Sequence, residues 1–135
     1  MVHSLRKKKE CEFMPEIKRV NAVFIYVVDM PLMRQFYEKT LGLGTPIVET
    51  DMWVEYEMEG ANLALHQGDE KVLSKANPTY NTVKFSLETD DIAQFCSELM
   101  AKGVMFTFEP RKDFGSMLAE FKDPESNLIR LIQFI

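Results

Sequence analysis

Cysteine and histidine are scarce in this 135-residue chain, with two of each. Cys11 sits in a charged N-terminal stretch and Cys96 on a predicted helix, so no disulfide framework is expected. Cys96 has no His or Cys neighbour at metal or redox spacing and is not expected to act as a nucleophile. Reduced thiols predict a cytoplasmic protein. Glycine is sparse too, at six residues, and none builds a phosphate-cradling loop or a nucleophile elbow. No apolar run approaches the ~20 residues of a membrane-spanning helix. The charged start, Arg6-Lys7-Lys8-Lys9, is not followed by the apolar stretch of a secretory signal. Positive charge is in deficit, 16 basic against 21 acidic residues, which argues against a nucleic-acid partner and against adhesion to anionic membranes.

What is present is enough to build a core. Hydrophobic residues make up 46% of the chain, and its length suits one compact domain. Residues 1–17 are expected to form a flexible leader, its basic run either touching something anionic or simply solvated, with Met14 as an alternative start. Residues 20–28 read as a strand with two apolar faces, Val23, Ile25 and Val27 opposite Ala22, Phe24 and Tyr26. Asp29 is a helix N-cap, and Pro31 suits the first turn. Met30, Met33, Phe36, Tyr37 and Leu41 recur at helical spacing, and Gly42 ends the helix. Strands are predicted at 46–50, 53–58 and 62–67, then a polar linker at 68–77.

The same order then returns. Residues 82–88 alternate as a strand, and 90–102 form a helix with Ile92, Phe95, Cys96, Leu99 and Met100 on one side, closed by Gly103. Strands follow at 104–109, 116–122 and 128–134, with a loop at 110–115 and a turn at 123–126. The reading is an α+β fold: two βαβββ modules, 18–68 and 78–135, forming a curved, cup-shaped mixed sheet with helices on the outside.

Val27-Val28-Asp29, Phe36-Tyr37 and Leu41-Gly42 together resemble the first-module signature of the vicinal oxygen chelate superfamily, which includes glyoxalase I, extradiol dioxygenases and bleomycin resistance proteins. The stretch from Phe121 through Asp123-Pro124 to Ile132 resembles its closing signature, and Leu63-Ala64-Leu65-His66 is similar to the end of its first module. The resemblance covers about residues 18–135. It implies a homodimer and, in the metal enzymes of the group, a divalent ion held by one His or carboxylate from the first and last strand of each module. Here those four positions fall on Ala22, Ala64, Lys84 and Arg130. A one-residue slip in register supplies no ligand either, and two cations would repel the ion. No metal and no cofactor are therefore expected.

Lys84 and Arg130, directed into the cup, are candidates to hold a carboxylate or phosphate; the alternative is an internal ion pair with Glu55 or Glu57. His66 is either a base or donor toward a ligand or a satisfied wall residue. Trp53, Phe24 and Tyr26 are candidate aromatic walls or plain core. Glu55 and Glu57 offer an acid/base pair or a polar strand face. Arg111, on the loop at 110–115, could reach a ligand or remain solvated. The expected function is recognition of a polar or anionic small molecule without metal; the alternative is a metal-dependent lyase or dioxygenase.

Overall fold

The computed structural model describes residues 19–69 and 85–135. The leader at 1–17, most of the linker and Lys84 lie outside the described residues. The strands are β1 (Ala22–Val27), β2 (Val48–Glu49), β3 (Trp53–Tyr56), β4 (Asn62–Gln67), β5 (Phe85–Glu88), β6 (Phe106–Asp113), β7 (Ser116–Lys122) and β8 (Leu128–Phe134). Helices α1 (Met30–Gln35) and α2 (Ile92–Ala101) follow β1 and β5. The strands form two four-stranded mixed sheets, ordered β1-β4-β3-β2 and β5-β8-β7-β6. In each, the first strand runs parallel to the last and the remaining pairs are antiparallel. The expected pair of βαβββ modules is the architecture adopted.

Each module turns from strand to helix by the same device. The Asp29 carboxylate accepts from the Leu32 N–H at 3.1 Å, and Asp91 accepts from Gln94 N–H at 3.1 Å. Such caps satisfy backbone donors that the first helical turn leaves without partners. The apolar stripe of the first helix is buried throughout, with Met33 and Tyr37 fully enclosed. Burying each such side chain contributes about 2 kcal/mol. Ile92, Cys96 and Leu99 do the same for α2, while Met100 is exposed. Both helices pack into one continuous core with Ile25, Val27, Leu65, Phe121, Ile129 and Leu131.

The first helix does not stay α-helical. After Gln35 it widens into a π-turn, Phe36–Thr40, closed by Leu41 N–H donating to the Phe36 carbonyl at 2.7 Å. The two modules explain why. Twelve residues, 30–41, separate Asp29 from Gly42, whereas eleven, 92–102, separate Asp91 from Gly103. Both glycines take nearly the same left-handed conformation, φ 84° and 85°. The additional residue of the first helix is absorbed as a wider turn.

One expected loop is a strand. β6 continues through Pro110 to Asp113, and Arg111 and Lys112 pair with Leu118 and Met117. The register shifts between Phe108 and Arg111, so the proline, which has no N–H to give, falls in an irregularity of an edge strand. The connection shrinks to Phe114-Gly115, with Phe114 fully exposed at φ 52°. Arg111 is thus carried by a strand and not by a loop, and its guanidinium lies 3.9 Å from the centre of the Phe108 ring.

The turn between β7 and β8 fastens one module to the other. Asp123 is buried and accepts four hydrogen bonds: from the N–H groups of Glu125 and Asn127, from the Asn127 side-chain amide, and from the Tyr37 hydroxyl at 2.8 Å. Burial raises the Asp123 carboxyl above its ordinary range despite these donors. Burial, with the Asp123 charge, also pushes the Tyr37 hydroxyl well up. The next acidic residue, Glu125, accepts from the N–H groups of Val28 and Asp29 at the entry to the first helix.

Candidate functional site

Alternation along the strands sends one side-chain set under the helices and the other to the helix-free face of each sheet. On β1 the second set is Ala22, Phe24 and Tyr26; on β3 it is Trp53 and Glu55; on β4 it is Asn62, Ala64 and His66. Pairing lines these up. Trp53 and Tyr26 both stand opposite His66, while Phe24 and Glu55 both stand opposite Ala64.

The rings close into an array around the imidazole. Phe24 lies 5.3 Å from Trp53, 5.7 Å from Tyr26 and 5.7 Å from His66, centre to centre. His66 lies 5.0 Å from Tyr26 and 5.5 Å from Trp53. The contacts are tilted or edge-on, the arrangements that ring quadrupoles favour. Ala64 at the centre keeps the floor low. Phe24 remains 43% exposed, so the array is a surface and not an enclosed core.

Polar groups sit at defined points in it. The His66 Nδ1 is 3.1 Å from the Gln67 carbonyl. That contact requires Nδ1–H to donate, which makes Nε2 the acceptor of the neutral ring. Glu55 is buried to 9% exposure beside the rings and accepts from Trp53 Nε1 at 2.9 Å and Asn62 Nδ2 at 2.8 Å. The Asn62 bond, then the Trp53 bond, hold its carboxyl below the usual glutamate range. Glu57 is exposed beyond the end of β3, so the two glutamates do not share one environment.

The second module presents a different face. Arg130 stands on it, exposed, opposite Glu120 on β7 and Ser86 on β5. These three, with Phe85 and Leu128, line a hollow of about 230 Å³. Glu120 is buried and accepts from the Thr107 hydroxyl at 2.7 Å. Among the described residues Arg130 makes no ion pair, so the internal pairing with Glu55 or Glu57 is not formed by this residue. The described ion pairs are those of Arg34 with Glu38, at 2.6 Å, and with Glu49. Lys84 belongs to the undescribed residues.

Register relates the modules residue by residue. Phe24 and Ser86 each lie five positions before the capping aspartate, and they pair with Ala64 and Arg130. Ala64 and Arg130 are therefore equivalent, and so are Glu55 and Glu120 across from them. Glu120 escaped the sequence reading; its only signal there was alternation on β7, which puts it on the face that Arg130 occupies. The positions implied for metal ligands accordingly hold Ala22, Ala64 and Arg130, with Lys84 undescribed. Methyl groups offer no lone pair and a guanidinium repels a cation, so the described members of that set do not fit a divalent ion. Among the described residues no three His, Cys, Asp or Glu side chains converge as a metal site would require. Cys96 is buried and its thiol is pushed up to about 11 by desolvation, which leaves it unreactive.

Comparison with known proteins agrees with the fold. The family model for the glyoxalase/bleomycin resistance protein/dioxygenase superfamily matches residues 19–131. Among solved structures, TnmS3, an antibiotic-binding protein from Streptomyces sp. CB03234, superposes with a TM-score of 0.70 at 24% identity, over 90% of this chain and 100% of its own. A superfamily member from Sphaerobacter thermophilus gives 0.66 at 26% identity, over 87% and 98%. An integron cassette protein from the mobile metagenome of V. cholerae gives 0.67 at 22% identity, over 91% and 100%. No curated protein sequence matches the chain.

Proposed function

The chain belongs to the glyoxalase/bleomycin resistance protein/dioxygenase superfamily, and from that premise we propose that it is a small-molecule-binding member that works without the family's metal. The aromatic array of Phe24, Tyr26, Trp53 and His66 carries this reading. Rings held at fixed spacing on an exposed sheet face can stack on a flat ligand, and Glu55 and His66 Nε2 can accept hydrogen bonds from its polar edge. Arg130, with no described carboxylate partner, is the group suited to an anionic substituent; Lys84 would add to it. The likeness to an antibiotic-binding protein supports binding as the class of function. The exposed Phe24, Phe114, Phe134 and Ile135 favour a homodimer, and a buried free thiol favours a reducing, cytoplasmic setting.

The metal-dependent lyase or dioxygenase alternative needs donors that Ala22, Ala64 and Arg130 do not supply. A thermal-shift screen of aromatic acids against purified protein, with elemental analysis of the same sample, tests the proposal. Binding predicts a raised melting temperature for at least one aromatic acid, smaller in Arg130→Ala, with no stoichiometric metal. Stoichiometric zinc, nickel, manganese or iron would overturn it. Light scattering of the purified protein tests the dimer: a monomer mass would remove that part.

A further inference from the structure

A second cavity lies away from the aromatic face, where the wide turn of the first helix meets the ends of α2 and β7. Its volume is about 360 Å³. Phe36, Val104, Met105 and Pro124 supply apolar wall, and Lys102 and Lys122 supply charge. We propose that this cavity is a binding site for a small amphipathic anion, an apolar body ending in a carboxylate or phosphate.

Three observations converge on it. First, its charge is opposite in sign to that of the chain, whose formal net charge is −5. Among the described residues neither lysine has a carboxylate partner, and the Lys102 ammonium makes one long bond, 3.4 Å, to the Thr40 carbonyl. The one carboxylate in the wall, Asp123, spends both oxygens on Tyr37, Glu125 and Asn127 and is 4% exposed. The cavity therefore presents two cations that no wall carboxylate neutralises. Second, Met105 is 71% exposed at its mouth, an apolar side chain left in water beside those charges. An anion carrying an apolar tail satisfies both features, with its head between the lysines and its tail along Met105, Val104 and Phe36. Third, the π-turn that holds Phe36 and Thr40 against the cavity has no counterpart in α2. A π-turn trades regular helical geometry for a displaced backbone, and such turns occur frequently at functional sites.

Octanoate is the probe, followed by two-dimensional amide NMR of the full chain. The expected result is saturable shifts of the Val104, Met105 and Lys122 amides, with the indole resonance of Trp53 unmoved. Octan-1-ol, which has the tail without the charge, should bind several-fold more weakly. The double variant Lys102→Gln/Lys122→Gln removes both charges while keeping polar side chains and should weaken octanoate about fivefold, as two exposed charge contacts warrant. Met105→Glu, at a solvent-facing position, places a like charge at the mouth and should abolish the shifts while leaving the rest of the spectrum intact. Equal binding of octanoate and octanol, undiminished binding to the double variant, or shifts confined to Trp53 and its neighbours would overturn the proposal. The last pattern would leave the aromatic-face reading standing, and loss of the aromatic-face ligand would not touch this site.

Discussion

The two modules share a plan and differ in what they do with it. Asp29 and Asp91 cap their helices through the same bond, and Gly42 and Gly103 end them in the same left-handed conformation. Glu55 and Glu120 occupy equivalent buried positions on the third strand of each sheet. Around this frame the first module gathers rings, where the second sets Ser86, Glu88, Leu118 and Ile132 at the matching places and Arg130 at the place of Ala64. Repetition of the backbone thus holds the geometry constant, while the helix-free side chains diverge into one stacking surface and one charged surface. Among the described residues the second module alone also carries a polar fastener, Asp123 with Glu125, that reaches into the first. At the corresponding place in the first module the chain makes an ordinary tight turn at Glu59-Gly60, with Gly60 at φ 82°.

Removing the fastener should produce the largest effect. Asp123→Ala strands the buried Tyr37 hydroxyl, the Asn127 amide and two backbone N–H groups. We expect a loss of roughly 3–4 kcal/mol, read as a lower urea midpoint, or a chain that does not accumulate folded. Tyr37→Phe deletes one donor and should cost about 1–2 kcal/mol. An unchanged midpoint for Asp123→Ala would mean that the modules are held together by apolar packing alone.

Next comes the surface that distinguishes the modules. Arg130→Ala should weaken an anionic aromatic ligand about tenfold, the scale of one charge-assisted hydrogen bond, with little change in stability. Trp53→Ala should weaken it comparably and also release Glu55 from one donor. If both variants bind as wild type does, the divergence of the two faces has nothing to do with ligand.

The smallest effect concerns Glu55. Its carboxyl is held low in the folded chain by Asn62 and Trp53. A depressed carboxyl contributes stability above the unfolded value of about 4.3 and loses it as pH falls through the folded value. Wild type should therefore lose stability below about pH 4.3 more steeply than Glu55→Gln, and the variant should be about 1 kcal/mol weaker at neutral pH. Parallel acid limbs in the two urea series would show that those hydrogen bonds do not favour the charged form.

Much of this was legible in the sequence where a periodic pattern ran without interruption. β4, β7 and β8 take the bounds that alternation predicts, and the stripe from Met30 to Leu41 is buried at every position. Pattern failed where a local signal competed with tertiary pairing. Pro110 reads as a strand breaker, yet an edge strand with a register shift carries it. The π-turn leaves no mark in residue type; only counting from cap to glycine in both modules reveals it. The Asp123 network was invisible because Tyr37 lies 86 residues away in the chain and the two meet only when the modules dock. At the site, strand parity placed Trp53, Glu55, Phe24, Tyr26 and His66 on one face, but it could not show that Glu55 is bonded to Trp53 and Asn62 rather than to a cation.

The chain holds a single tryptophan, so its indole N–H gives one resonance that reports directly on the aromatic face. Titrating 2-naphthoate into EDTA-treated protein and following that resonance is the most direct test of metal-free recognition. Saturable movement of the Trp53 signal, with the same midpoint with and without EDTA and weakened in Arg130→Ala, is the predicted result. A signal that stays still, or one that responds only after a divalent ion is restored, would contradict it.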